Sequence, residues 1–288
     1  MLSSDNIQRR PLILSRRWIL SAFIMSESNS IDEVFANGVL LMRTIVFELC
    51  AENIESCLVA REGGANRIEL CSALSEGGLT PSHGLIREAV NRSGLPVHVL
   101  LRPRCGDFVY SQSEFDVMVE DLQHARALGA AGVVLGILRS DNTVDVERTR
   151  DLVSLAGPIE VTFNRAFDHT ASLELALEDL VAVGCKRILT SGGEQDVVGG
   201  QEALARLVKQ AAGRIDIAVG GGLTLKNASA VSQSTGAQHF HGSLRRVGTN
   251  LLLEEPTDAP ATQSLFTKSR PVVDASDVRS MIENLVGS

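Results

Sequence analysis

The feature that most constrains the fold is the repeated alternation of short β-branched runs with longer segments of helical period, starting at Thr44. Gly, Pro, Asn and Ser residues separate the two kinds of segment, which is typical of successive βα units. Eight runs qualify as strands: 44–50, 67–70, 97–104, 132–137, 159–167, 187–190, 215–221 and 238–243. Because these units fill about 245 residues, the sequence predicts the α/β class and a single (β/α)8 TIM barrel rather than an open doubly wound sheet.

Segments of helical period lie between the predicted strands, and several begin at residues that favour a helix N-cap. Their predicted starts lie near Asn53, Ser82, Ser113, Asp145, Ser172, Gly200 and Thr224. A C-terminal helix over 274–286 is predicted after a polar, proline-containing linker from Arg246 to Pro271. The predicted barrel domain therefore spans residues 43–288.

Residues 1–42 form an N-terminal extension that is predicted not to belong to the barrel. The first 26 residues carry four arginines and several serines, with Asp5 as the only acid, which resembles a transit peptide. Two alternatives are a disordered extension and a mis-assigned start, with translation beginning at Met42, just before the first strand.

Charge and composition exclude several classes of partner. The formal net charge of −8 repels phosphate backbones and anionic membranes, and the 4% aromatic content leaves few surfaces on which bases stack. No apolar run approaches the roughly 18 residues that cross a bilayer. Five cysteines, an odd number spread along the chain, do not resemble a disulfide framework. We therefore predict a cytoplasmic protein that binds neither nucleic acid nor membranes.

Polar side chains alternate with apolar ones along the predicted strands, whereas barrel strands are usually apolar throughout. In the first strand Glu48 and Cys50 alternate with Phe47 and Leu49, and similar alternation recurs in four other strands. With a period of two, the polar set faces the barrel interior. The inward residues near the strand ends include Glu48, Cys50, Glu69, Cys71, Arg102, Asn164 and His241.

Charged residues inside a barrel must pair with one another, with water or with a ligand, because an unpaired buried charge is strongly unfavourable. The carboxyl-terminal mouth is also where TIM barrels carry their functional sites. The sequence therefore predicts a polar pocket at this mouth. The alternative is a closed network of Glu and Arg residues that only stabilises the barrel.

Two glycine-rich turns follow the sixth and seventh predicted strands. They contain Gly192 and Gly193 in "TSGGE" and Gly221 and Gly222 in "VGGGLT". Glycines at such turns let backbone N–H groups approach an anion, and many TIM barrels bind phosphate near these loops. The alternative is that the glycines serve only tight turns.

The same polar residues predict a metal-independent enzyme or sensor for a small phosphorylated or carboxylated metabolite. In this interpretation Arg102, with Arg104 as a second candidate, binds the anionic group. Burial near like charges raises the pKa of the carboxyl groups that transfer protons. The candidate acids and bases are Glu48, Glu69, Asp168 and His241. A competing interpretation pairs Asp168 with Arg165, and Arg104 with Asp107, as braces within loops.

Several motifs, in this order, resemble the CutC family, which is named for copper homeostasis. They are "FELCAENIESCLVAREGGANRIELCSALSEGGLTPS", "RPRCGDFVYS", "VTFNRAFD", "ILTSGG", "GGGLT" and "HFHGS", and they cover about residues 44–245. The resemblance implies a cytosolic TIM barrel, often a homo-oligomer, that handles copper. It also implies that Cys50 and Cys71 are the copper ligands.

A pair of thiolates on neighbouring strands is a suitable donor set for Cu(I). The alternative is that both cysteines only fill space, as buried cysteines frequently do. One departure concerns Asn164, which stands where the family usually has His; an asparagine can orient a ligand but cannot titrate. Two hypotheses remain open: a Cu(I)-binding protein, and an enzyme or sensor for a small anionic metabolite.

Overall fold

The computed structural model describes residues 44–247 and 271–287. Within them, eight parallel strands close into a barrel in chain order. The strands are β1 (Val46–Ala51), β2 (Arg67–Leu70), β3 (Val97–Leu100), β4 (Gly132–Leu135), β5 (Glu160–Phe163), β6 (Arg187–Thr190), β7 (Asp216–Gly220) and β8 (His239–Gly242). The predicted TIM barrel is therefore confirmed.

Helices alternate with the strands of the barrel, as the βα pattern predicts. They are α1 (Ile54–Gly63), α2 (His83–Arg92), α3 (Gln112–Ala127), α4 (Val146–Ala156), α5 (Leu173–Val183), α6 (Gln201–Ala211), α7 (Ala228–Thr235) and α8 (Ala275–Val286). The last of these is the predicted C-terminal helix. None of the helices in the described residues is long and apolar enough to cross a membrane.

Two helices begin away from their predicted residues. The N-cap of α3 is Ser111 rather than Ser113, because Ser111 and Glu114 form a reciprocal capping box that satisfies two backbone N–H groups. The helix α7 begins after Asn227, whose side chain accepts a hydrogen bond from the backbone N–H of Thr224 at 2.7 Å. Thr224 therefore lies in a turn before α7.

The main apolar core lies between the barrel and its helices, and it contains fully buried Phe47, Phe163 and Phe240. The helix α8 completes this layer next to α1. A Cβ atom at Gly63 would lie 2.3 Å from the Cβ of Val278, so only glycine allows the two helices to approach this closely. Burial of Met281 on α8 shows that the C-terminal helix is part of the core.

The predicted extension, residues 1–42, lies outside the described residues, as does most of the predicted linker from Arg246 to Pro271. Two short strands, β9 (Arg246–Val247) and β10 (Pro271–Val272), flank the undescribed part and pair antiparallel. This pairing places the start of α8 next to the chain that leaves β8.

Candidate functional site

The inner wall of the barrel is formed by the alternating residues that the sequence predicted. Cys50, Cys71, Leu100 and Val134 form a small buried cluster that is separate from the main core. Leu49, the neighbour of Cys50 in the chain, belongs to the main core instead. The two faces of β1 therefore contact different surroundings, as the period of two requires.

Glu48, Glu69 and His241 come together inside the barrel because β1 pairs with both β2 and β8. Nδ1 of His241 lies 2.8 Å from a carboxylate oxygen of Glu48 and 3.7 Å from one of Glu69. Glu48 also accepts a hydrogen bond from Nε of Arg67 at 2.5 Å. The three residues present one ligand atom each within 4.8 Å of one another, so the cluster also has the composition of a cation site.

The three titratable groups of this cluster have displaced pKa values. Burial would raise the pKa of Glu48, but Arg67 and the hydrogen bond from His241 hold it well below its usual value. Burial raises the pKa of Glu69 to about 7, with Glu48 adding to the rise and His241 opposing it. Burial would lower the pKa of His241, yet Glu69 and Glu48 raise it. With its pKa near 7, Glu69 can act as a general acid or base at neutral pH, and His241 lies beside it as a second proton carrier.

Two polar atoms of the cluster are buried without a hydrogen-bond partner in the described part of the chain. They are Oε2 of Glu69 and Nη2 of Arg67. Buried polar atoms are nearly always satisfied in folded proteins, since leaving one unpaired costs about 1–3 kcal/mol. A water molecule or a bound ligand in the barrel interior would satisfy both atoms.

The two lumen cysteines lie above this cluster with their Sγ atoms 3.8 Å apart. Cys71 is fully buried and Cys50 is 3% exposed. The hydrogen bond with Cys71, burial and the nearby carboxylates all raise the pKa of Cys50 well above its usual value. Cys50 therefore carries a thiol at neutral pH unless a cation displaces its proton.

A cavity of about 660 Å³ lies at the carboxyl-terminal mouth of the barrel, and both Cys50 and His241 line it. The loops that follow β7 and β8 form most of its wall. The cavity therefore connects Cys50 and His241 to the mouth where barrel enzymes and binding proteins hold their ligands.

Arg102, predicted to bind an anion, instead braces neighbouring loops. Its Nη1 donates to the backbone carbonyls of Glu76 and Gly78, each at 3.0 Å. Its Nη2 donates to the carbonyl of Gly106 at 2.7 Å. These bonds already occupy the two terminal nitrogens with which an arginine grips a carboxylate or phosphate.

Asn164 and Arg104 also have local partners. The side chain of Asn164 accepts from the backbone N–H of Ala166 at 2.9 Å and caps a short 3-10 helix over Arg165–His169. Arg104 pairs with Asp107 at 2.9 Å, as the loop-brace interpretation predicted. Both residues thus contribute to loop geometry rather than to the Glu48 cluster.

Asp168 anchors the loop that follows β6. Its carboxylate accepts hydrogen bonds from the backbone N–H groups of Ser191 and Gly193, at 3.1 and 3.0 Å, and from the hydroxyl of Thr190 at 2.5 Å. It also pairs with Arg165 at 2.8 Å, which is the brace that the sequence offered as the alternative to catalysis. The loop amides predicted to bind an external anion therefore bind an internal carboxylate.

The other predicted glycines divide between the two loops. Gly192, after β6, donates its N–H to the Thr190 hydroxyl at 2.8 Å. Gly221 and Gly222, after β7, have φ angles of +103° and +74°, which only glycine adopts readily. Their N–H groups have no acceptor among the described residues. Of the four predicted glycines, Gly221 and Gly222 are the two whose N–H groups stay unused within the described part of the chain.

An ionic layer that was not predicted from the sequence lies near the amino-terminal ends of the strands. Nη2 of Arg187 lies 3.0 Å from Glu160 and 3.6 Å from Asp216. The signal was present, because Arg67 precedes inward-facing Glu69 by two residues and Arg187 begins β6. This layer corresponds to the predicted alternative of a closed ionic network, and its position at the barrel bottom indicates a role in stability.

The chain has relatives among known proteins, and the similarity extends over the whole barrel. The CutC family profile matches residues 45–246. A CutC family protein of Chromobacterium violaceum is 43% identical over 241 residues, which cover 83% of this chain and 98% of the relative. A human protein described as a copper homeostasis protein cutC homolog is 43% identical over 210 residues, covering 73% of this chain and 75% of the relative.

A solved structure has the same architecture. The crystal structure of a CutC chain from Streptococcus agalactiae, described as a copper homeostasis protein, matches with a TM-score of 0.65 at 36% sequence identity. The match covers 69% of this chain and 98% of that chain. Nearly the whole length of that relative therefore corresponds to the barrel.

Proposed function

Because this chain belongs to the CutC copper homeostasis family, we propose that it binds one Cu(I) ion between the thiolates of Cys50 and Cys71. The separation of 3.8 Å between the two sulfur atoms carries the proposal. Metal–sulfur bonds of about 2.3 Å let two sulfurs up to about 4.6 Å apart share one ion. Two soft thiolates favour Cu(I) over hard cations, and the cavity offers a route to Cys50.

The affinity for Cu(I) is expected to increase with pH. The ligands must lose protons on binding, and the hydrogen bond with Cys71 together with burial raises the pKa of Cys50. Each thiol proton released makes binding about tenfold tighter per pH unit. Competition titration of the full chain against a Cu(I) chelator, in reducing buffer at pH 6.5 and 7.5, measures this change and the stoichiometry. A pH-independent affinity would argue against thiol ligands.

A second candidate function is a metal-independent enzyme or sensor for a small phosphorylated or carboxylated metabolite. The observation that favours it is the proximity of Glu69 and His241, 3.7 Å apart, with His241 lining the cavity. One group with a raised carboxyl pKa and one imidazole can exchange a proton with a bound substrate.

Cytosolic location and homo-oligomeric assembly remain predictions from the cysteine content and the family resemblance.

The proton on Glu69 makes a measurable contribution to stability. Burial raises its pKa from 4.5 to about 7, so the folded chain holds this proton more tightly than the unfolded chain. The stabilisation is therefore complete below pH 4.5 and is lost as the pH rises through 7. Relative to the Glu69→Gln variant, the wild type is expected to lose on the order of 3 kcal/mol of unfolding free energy across this range.

Urea unfolding from pH 4.5 to 8 measures the loss. The matched control is Glu62→Gln, because Glu62 is exposed on α1. The unfolding free energy of Glu62→Gln should change with pH in parallel with that of the wild type. If the unfolding free energies of the wild type and of Glu69→Gln also change in parallel with pH, then Glu69 titrates normally and has no special role in proton transfer.

A further inference from the structure

The cavity at the barrel mouth has a cationic side that neither the thiol pair nor the Glu48 cluster uses. Its wall includes Arg165, Lys226, Arg245 and Arg246, and Asp277 is the one acidic residue among the described residues that line it. Arg246 pairs with Asp277, and Arg245 lies 3.8 Å from Glu52. Arg165 and Lys226 are therefore the cations to consider for a ligand.

Arg165 extends from the loop after β5 across the loop after β7. A Cβ atom at Gly221 would lie 2.9 Å from Cζ and 3.0 Å from Nη1 of Arg165, so the guanidinium lies directly against this glycine. Its Nε binds Asp168 and its Nη2 binds Ser191. Its Nη1 has no acceptor among the described residues.

Lys226 forms no ion pair with any described residue. It lies five residues after Gly221 and lines the same cavity. The N–H groups of Gly221, Gly222 and Leu223 also have no acceptor in the described part of the chain. The unpaired ammonium of Lys226 and the unused Nη1 of Arg165 thus share a cavity wall with three backbone N–H groups that have no acceptor among the described residues.

An oxyanion with several acceptor oxygens fits this combination of donors. A lysine serves as a point charge for phosphate, and successive backbone N–H groups form anion-binding concavities. Many TIM barrels bind phosphate in the loops after strands 7 and 8. The loop after β6 does not offer such a site, because the Asp168 carboxylate already accepts from Gly193.

We propose that this side of the cavity, formed by Arg165, Lys226 and the backbone of 221–223, binds the phosphate group of a small phosphorylated ligand. The cavity volume of about 660 Å³ leaves room for the rest of such a ligand to reach His241. The proposal deepens the second candidate function and depends on it for the chemistry, though not for the binding.

Titration of the full chain with inorganic phosphate at constant ionic strength, followed by calorimetry, tests the proposal. The Lys226→Met variant is expected to weaken binding at least tenfold. Gly221→Ala should weaken it similarly, because the added Cβ displaces Arg165. The matched control is Lys209→Met, which removes an exposed lysine of α6 and should leave phosphate affinity unchanged.

Three results would overturn the proposal: no phosphate binding by the wild type, equal affinity in Lys226→Met and Lys209→Met, or equal competition by acetate. Glu69→Gln should keep phosphate affinity, since Glu69 does not line the cavity wall. Lysine-dependent phosphate binding without turnover of any phosphorylated compound would support this site while contradicting an enzyme. Turnover of substrates that lack phosphate, in a chain that binds no phosphate, would contradict this site alone.

Discussion

Replacing either Cys50 or Cys71 with serine is expected to weaken Cu(I) binding on the order of 1,000-fold, or about 4 kcal/mol. Each change removes one of the two soft donors that lie 3.8 Å apart and leaves a hard hydroxyl that remains protonated at neutral pH. The double variant should lose stoichiometric binding. Chelator competition in reducing buffer measures all three affinities.

The other cysteines provide matched controls. Cys57 is buried in α1, where burial raises its pKa to about 12, and Cys105 is exposed in a loop. Serine at either position should leave Cu(I) affinity unchanged. Equal losses of Cu(I) affinity in Cys105→Ser and Cys50→Ser would show that copper binds to accessible thiols in general. Cys50 and Cys71 would then only fill space in the barrel interior.

The Glu48→Gln variant is expected to lose about 3–5 kcal/mol of unfolding free energy. Glu48 is fully buried and accepts from both Arg67 and His241, so an amide at this position leaves the Arg67 guanidinium without its counter-charge. The low pKa of Glu48 has the same origin. The stabilisation is present above the usual carboxyl pKa and is lost as the pH falls through the lowered value.

The same chemical change at Glu178 serves as the control. Glu178 binds Arg214 through two hydrogen bonds of 2.7 and 2.8 Å, but both side chains are nearly half exposed. Solvent screens such a pair, so Glu178→Gln should cost far less unfolding free energy than Glu48→Gln. Urea unfolding measures both variants. Comparable losses of unfolding free energy in Glu48→Gln and Glu178→Gln would contradict the account of the buried network.

The barrel and its inner wall were predictable because both depend on local periodicity. The period of two along β1 is enough to separate Glu48 and Cys50 from Leu49, and the order of the βα units fixes which strands are neighbours. Cys50 lies near Cys71 because the first and second strands are neighbours in the barrel. Proximity of Glu48 to His241 requires closure between β1 and β8, which eight predicted strands imply.

The loops were less predictable, because their hydrogen bonds join segments that are distant in sequence. The sequence "TSGG" does not indicate that the backbone N–H of Gly193 donates a hydrogen bond to Asp168. Likewise, Arg102 faces the mouth as expected, yet carbonyls of two loops occupy its guanidinium. Lys226 was overlooked because it lies in a turn before α7, where no strand periodicity indicates its direction.

X-ray absorption at the copper edge of the Cu(I)-loaded full chain tests the central claim most directly. Binding between Cys50 and Cys71 predicts a first coordination shell of two sulfur atoms, which disappears in the Cys50→Ser/Cys71→Ser double variant. A shell of nitrogen and oxygen atoms that persists in the double variant would place copper at Glu48, Glu69 and His241, and would contradict the thiolate site.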